Sequence, residues 1–296
     1  MAARCASVPV MPEGDTIHKV ALALRPHVAG VPIRALRLPH GDVPMAAGTR
    51  GVAVKARGKH LIVTFGAPGA PPRVLRTHLG MNGSWHRYRP GERWRKSPSD
   101  TPHVAIHTDD WVLVCFQPAQ CVLYQHPGDL ERDPAIADLG PDLLGPGLDL
   151  DVVLARARVA RNAARAVAEV LLDQRVAAGV GNVYKSEVLF LERVDPWAPV
   201  GAIPDLVIRA VYARAAALLA ANVHDGARVT APERAPFGHR LPPGLRHWVY
   251  RRAGHPCPRC RAPIAGRPQG PQVRMTYWCP SCQAPLVARP SPPTGS

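Results

Sequence analysis

Two C-x-x-C pairs near the C-terminal end constrain this chain more than any other feature. Cys257 and Cys260 form one pair, Cys279 and Cys282 the other, with 18 residues between them. Four thiolates at that spacing are the ligand set of a tetrahedral structural zinc site. Each pair encloses or adjoins a proline, in "PCPRC" and "WCPSC", which suits tight knuckle turns. Cys5, Cys115 and Cys121 are scattered. A disulfide or redox reading of the four needs an oxidising compartment. Residues 1–10 are too short for a secretory leader with its own apolar stretch, and no run of about 18 apolar residues exists to span a membrane. The chain is therefore expected to be cytoplasmic. The cysteines are expected to hold one structural Zn2+ in a module over residues 246–289.

The formal charge is +15, and only five of the 37 basic residues are lysine. Codon bias explains the number of arginines, because Ala, Pro and Gly are abundant too. It does not explain their placement. From Arg234 to the end there are ten arginines and no Asp or Glu. One sign of charge on structured sequence points to a polyanion, nucleic acid first and an acidic membrane surface second.

With 296 residues the chain has room for two or three domains. Segments 31–66 and 73–124 read as strands, with "VAVKARGKHLIVTF" and "HVAIHTDDWVLVCF" alternating or running apolar and "TDDW" as a hairpin turn. Before them "DTIHKVALALRPHV" has helical spacing, with Asp15 or Thr16 as cap. Residues 126–149 are rich in Pro, Gly and Asp and read as a linker. Helical periodicity follows from Asp151 to about Val223, then a polar loop over 224–245, the cysteine module and a terminal "PSPPTGS" expected to be disordered.

Several motifs in this order resemble the formamidopyrimidine-DNA glycosylase and endonuclease VIII family: "MPEGDT", "ARGKHLIV", "LRTHLGMNGSW", "LLDQRVAAGVGNVYKSEVLF" and "VYRRAGHPCPRCRAPI" with "VRMTYWCPSCQ". The likeness runs over nearly the whole length after Met11. It implies an α+β multidomain protein: an N-terminal β-sandwich with a flanking helix, a helical domain with a helix–two-turn–helix motif, and a four-cysteine zinc finger. The implied partition is 1–11 extension, 12–130 catalytic domain, 131–150 linker, 151–245 helical domain, 246–289 finger and 290–296 tail. The family repairs DNA, removing oxidised bases and cutting the strand at the abasic site, with the duplex lying in the cleft between the two halves. The implied partner is double-stranded DNA carrying damaged bases or abasic sites, bound by a monomer in a bacterial, nucleoid-associated setting, with no catalytic metal or organic cofactor.

The resemblance assigns the chemistry residue by residue. Pro12 would be the nucleophile if its ring nitrogen were a free secondary amine. Such an amine attacks the sugar C1′ and forms a cationic iminium. An α-amino group titrates near about 8, against about 10.4 for lysine, so much more of it is neutral and reactive. This requires a chain beginning at Pro12, through a start at Met11 or loss of residues 1–11. Otherwise Pro12 is a helix-leading proline. Glu13 is the implied general acid, though a first-turn glutamate at a helix dipole needs no catalysis. Lys59, with Arg57 beside it, is the implied phosphate contact, carried on a strand. Met81 is the implied wedge for the hole left by a flipped base, with a core methionine as the alternative. Asn182 would bind a phosphate at a helix start or be an ordinary N-cap. Lys185 and Tyr184 would contact DNA or pack, and Glu187 and His60 read as structural. Arg274 in the finger would grip phosphate from the other side through its bidentate fork.

The purine-repair branch carries an Arg–Phe pair in a second loop. Here the matching stretch, "FQPAQCVLY", has none, and "PEGDT" is closer to the endonuclease VIII start. Oxidised pyrimidines are therefore the expected substrates. The alternatives are an oxidised-purine glycosylase, a non-catalytic binder of damaged DNA, and a zinc-ribbon protein without lesion selectivity.

Overall fold

The computed structural model describes residues 12–94, 102–224, 226–232 and 242–284. The expectations for 1–11, for 225 and 233–241 of the polar loop, and for 285–296 lie outside the described residues. The chain divides into two compact units between Leu139 and Gly140.

The first unit opens with α1 (Gly14–Leu24), whose Ile17, Ala21 and Leu24 form a buried stripe at helical spacing. Glu13 occupies the N-cap position with extended backbone and makes no side-chain cap. The expected cap by Asp15 or Thr16 is thus corrected: both lie inside the first turn, where Asp15 suits the helix dipole. Nine strands follow: β1 (Ala35–Leu38), β2 (Gly41–Val43), β3 (Arg50–Arg57), β4 (His60–Ala67), β5 (Ala70–His78), β6 (Ser84–Tyr88), β7 (Pro102–His107), β8 (Val112–Phe116) and β9 (Gln120–Tyr124). They make two antiparallel sheets, ordered β2-β1-β7-β8-β6 and β3-β4-β5-β9.

One core joins both sheets to α1. It takes Leu36, Val104, Ile106, Leu113 and Cys115 from one sheet, and Val54, Leu61, Val63, Phe65 and Leu75 from the other. The sheets also bury parts of their outer faces, Val112, Val114 and Phe116 on one and Ile62, Val74 and Tyr124 on the other. A strand covered on both faces reads as a continuous apolar run, which is why "HLIV" and "VLVCF" do not alternate strictly. Burial pushes the Cys121 thiol up to about 11, and Cys115 is fully buried, so both are packing residues.

The expected linker is partly helical. Helices α2 (Pro127–Arg132) and α3 (Pro134–Ala137) start on prolines at the first helical position, and Asp133 caps α3 by accepting from Ala135 N at 2.8 Å. Leu130 and Ile136 cover Ile62 and Val74. The Pro and Asp that suggested an irregular stretch are helix-start residues here. Beneath them the Arg76 guanidinium, 3% exposed, donates to Asp133 at 2.9 Å, to Tyr124 Oη at 2.8 Å and to Gln120 Oε1 at 2.8 Å.

The second unit packs α4 (Leu150–Ala157), α5 (Val167–Leu172), α6 (Asn182–Leu191) and α7 (Asp205–Ala221) around one apolar core, and ends in a hairpin of β10 (Ala265–Gln269) and β11 (Arg274–Trp278). Every residue of α6 from Asn182 to Phe190 is buried. Its Glu187 carboxylate accepts from the backbone N–H groups of Trp248 at 2.8 Å, Val249 at 2.9 Å and Tyr250 at 2.8 Å, and from the Thr230 hydroxyl. One buried anion thereby satisfies the chain just before the cysteine module, the structural role expected of it. Phe190 continues the anchor by packing on Val249, Ile264, Cys257 and Cys279.

Glu187→Gln replaces one acceptor oxygen by an NH2 facing backbone donors. Leaving buried donors unmatched costs roughly 1–3 kcal/mol, so urea unfolding is expected to show a loss of about 2–3 kcal/mol. A loss below about 0.5 kcal/mol, the range of an ordinary surface change, would show that the carboxylate is dispensable.

Candidate active site and nucleic-acid interface

In the first unit three connections meet at one end of the four-stranded sheet. The register pairs Arg57 with His60, His60 with His78, and His78 with Gln120. Beyond that line lie the two-residue turn Gly58–Lys59, the connection 79–83 from β5 to β6, and the connection 117–119 from β8 to β9. The last two carry the chain between the sheets. Lys59 is half-buried in the hairpin turn, not on a strand as expected. Arg57 is held by Glu131 at 2.8 Å.

Helix α1 runs antiparallel to β3. Val28, just past its C-terminal end, abuts Gly51, and Arg25 Nε donates to Val54 O at 3.4 Å. Earlier α1 residues therefore lie beside later β3 residues. This directs Pro12 and Glu13 towards the end that carries Lys59. Pro12 is half-buried and Glu13 buried.

Met81 is 60% exposed at the tip of the 80–82 turn, whereas Leu79 is in the shared core. The core-methionine alternative does not hold. Gly80, at φ +63°, could not carry a side chain: a Cβ there would stand 2.6 Å from the Ala119 Cβ. This contact seats the Met81 turn on the 117–119 connection. Phe116 is buried, and Gln117 takes a left-handed backbone (φ +44°). The connection carries Gln117, Pro118 and Ala119, with no Arg–Phe pair.

His60 is the structural residue expected. Arg76 Nη1 lies 3.2 Å from its Nδ1, and its ring packs on His78 at 5.0 Å. A guanidinium can only donate, so Nδ1 must accept and the ring is neutral. Burial, with the charges of His78 and Arg76, lowers its pKa to about 3. Burial and then the charges of Lys59 and Arg76 lower that of His78.

In the second unit the turns between α5 and α6 are fixed by Gln174, which donates to Leu172 O at 2.8 Å and Val180 O at 2.9 Å and accepts from Gly179 N at 3.0 Å. Gly179 lies at φ +117°, out of reach of other residues. The turn delivers Asn182 to the first position of α6, with Gly181 as the N-cap. Asn182 is therefore no ordinary N-cap: its Nδ2 donates across to Met275 O at 2.8 Å. Arg274 follows the exposed tip of the finger hairpin and lines a cavity of about 320 Å³ with Arg165, Arg175 and Gln272. Arg175 and Arg165 bracket Asp173 and hold its carboxyl well below the usual carboxylate range.

Of the two readings open for Tyr184 and Lys185, DNA contact or packing, both side chains are buried in packing. Tyr184 is fully buried under Arg228, and Lys185 is 1% exposed. The Lys185 ammonium donates to Thr276 Oγ1 at 2.8 Å and Met275 O at 3.2 Å. Its sequence context gave no sign of this, because the acceptors lie some ninety residues away. The Sγ atoms of Cys257, Cys260, Cys279 and Cys282 all lie within 4.8 Å of one another. Four thiolates at about 2.3 Å from one ion stand roughly 3.8 Å apart in a tetrahedron, so donor set and spacing fit a structural metal.

Comparison with known proteins gives the class of this arrangement, that of damage-processing DNA-binding proteins. The model of the formamidopyrimidine-DNA glycosylase N-terminal domain matches residues 11–122, and that of its H2TH domain matches 139–232. The chain belongs to the formamidopyrimidine-DNA glycosylase family. It is 38% identical over 273 residues to a probable endonuclease 8 2 of Streptomyces coelicolor, covering 90% of this chain and 92% of that one. It is 35% identical to the DNA-(apurinic or apyrimidinic site) lyase Nei2 of Mycolicibacterium smegmatis, with 90% and 97% covered. The MutM (Fpg) structure of Thermus thermophilus superposes with TM-score 0.70 at 30% identity, covering 92% and 98%. The Lactococcus lactis Fpg bound to abasic-site DNA shares the fold, with TM-score 0.73 at 20% identity over 92% and 100%.

The neutrality of His60 sets an acid limit on stability. Between about pH 6.5 and about 3 only the unfolded chain binds this proton, so stability falls as pH drops below 6.5. From pH 7 to 5 the loss from this ring is about 2 kcal/mol. His60→Gln keeps an acceptor for Arg76 and cannot titrate. Urea unfolding at the two pH values is expected to show a correspondingly smaller acid loss in the variant, and equal losses in both chains would refute the assignment.

Proposed function

We propose that this protein is a bifunctional DNA glycosylase and abasic-site lyase of base-excision repair, favouring oxidised pyrimidines. The reading is supported by the packing of α1 on β3, which directs Pro12 and Glu13 towards the end with the Lys59 turn and the exposed Met81, in a unit that matches the family's N-terminal domain. The reactive form begins at Pro12. Support comes from the family match, which starts at Met11, directly ahead of it.

The neutral Pro12 amine adds to C1′ while Glu13 protonates the opening sugar ring, and the base leaves. The resulting iminium acidifies the C2′ proton. Its loss breaks the C3′–O bond by β-elimination, and a second elimination breaks the C5′–O bond. Lys59 holds a phosphate near the lesion, with Arg57 adding to the local charge. Met81 fills the gap in the stack. Asn182 uses the second hydrogen of its Nδ2 and the positive end of α6 for a phosphate, and Arg274 grips a neighbouring one. The four cysteines hold a single Zn2+, which with no open position supplies folding energy and no chemistry. The chain acts as a monomer on damaged duplex DNA at the bacterial nucleoid, and no helix among the described residues is long and apolar enough to cross a membrane.

Pyrimidine preference is supported by the absent Arg–Phe pair and by the endonuclease 8 names of the relatives. A second reading rests on the eleven residues that precede Pro12 in the sequence. If they stay attached, its nitrogen is an inert amide and the protein only binds damage.

Borohydride trapping separates the two. The native chain is expected to give a covalent protein–DNA adduct whose protein part has Pro12 at its start by mass spectrometry. Glu13→Gln is expected to bind an abasic-analogue duplex normally and to cut about 10²–10⁴-fold more slowly, while Pro12→Gly retains part of the adduct. Cleavage by a chain that still carries Met1 would sink the imine mechanism. A panel of oxidised pyrimidines, 8-oxoguanine, ring-opened purines and abasic sites tests the preference.

A further inference from the structure

Resting on the phosphate role given above to Arg274, we infer that Lys185 is a positioning residue that fixes the finger arginine against the start of α6. The argument begins with an oddity of burial. A lysine ammonium taken out of water is costly unless its donors are met. Lys185 is 1% exposed, and its Nζ reaches the two residues that follow Arg274: the carbonyl of Met275 and the hydroxyl of Thr276. Met275 O is also the acceptor for Asn182 Nδ2. One peptide carbonyl is thus shared by the phosphate-binding asparagine and by Lys185, one residue beyond the phosphate-binding arginine.

The neighbouring bonds run the same way. Tyr277 N donates to Ser186 Oγ at 3.4 Å, and Thr276 Oγ1 donates to Gln269 Oε1 at 2.7 Å on the paired strand. Asn182, Lys185 and Ser186 stand three and four residues apart, on one face of α6, and that face is what β11 docks on. The hairpin needs such an anchor. Val273, next to Arg274, is 67% exposed and lies at φ +51°. A β-branched residue there is strained and persists only where its surroundings over-determine it. A strained tip would relax and carry Arg274 with it unless the following residues were pinned. Lys185 pins them, so the two phosphate grips act as one rigid pair.

A double-mutant cycle tests this with the metal-loaded full chain and a duplex holding a tetrahydrofuran abasic analogue. Lys185→Met keeps the length of the side chain and removes the ammonium. Because Met275 O keeps Asn182 as a donor and the costly buried ammonium goes with the change, its melting point is expected to stay within about 4 °C of wild type. Binding is expected to weaken about tenfold in the wild-type background and less than about twofold in Arg274→Ala. Thr276→Val, which keeps the shape but removes the acceptor of Lys185 and the donor to Gln269, is expected to show the same non-additivity and carries the test if Lys185→Met fails to fold. Additive losses overturn the inference, as does a salt-dependence slope reduced by about 0.9 in both backgrounds, the mark of a direct phosphate contact. An Arg274→Ala chain that binds like wild type overturns the phosphate role itself, and the inference with it.

Discussion

Helix α6 is the constraint on which the second unit depends. A helix with both charged and apolar residues buried along its length cannot be held by an amphipathic face alone. Buried polar groups need partners, and four of the helix's polar residues find theirs in the finger or the segment leading to it. Asn182 and Lys185 take Met275, Ser186 takes Tyr277, and Glu187 takes the backbone of 248–250. Apolar packing of Phe190 on the finger core completes the contact. The polar bonds make the docking specific, because a register shift of the hairpin would leave several buried groups unmatched at once.

That dependence bears on where the four-cysteine cluster stands. A hairpin of two five-residue strands is marginal by itself. The four thiolates close its base, Glu187 closes the approach to it, and the α6 face closes its middle. The tip, from Gly270 to Arg274, projects beyond these supports, with Pro271, Gln272 and Val273 exposed. The Arg274 guanidinium is therefore presented by a short segment held at three places.

Much of this was legible in the sequence, for reasons that differ by element. The four-cysteine cluster is legible because four thiols at fixed spacing leave few other uses. Strands β4 and β8 are legible from their apolar runs, and α1 from its stripe. The cap of α1 is misread because Asp15 and Thr16 are good caps by type, and only the extended backbone at Glu13 shows where the helix starts. Residues 127–137 are misread because proline and aspartate both break chains and begin helices. Lys185 is opaque for a deeper reason. A lysine beside a phosphate-binding motif reads as a phosphate ligand, and the acceptors that claim it lie on β11, a pairing set by tertiary structure alone.

The same limit applies to the catalytic unit, where the sequence names the reactive groups and the fold decides how they are held. Lys59 sits in a turn whose flanks are pinned by the buried Arg76 network and by two neutral histidines. Were those rings charged, the field at the turn would rise and the guanidinium of Arg76 would lose an acceptor. Keeping them neutral leaves the half-buried Lys59 and the Glu131-paired Arg57 as cations at that end, beside the Met81 turn seated by the close approach of Gly80 to Ala119.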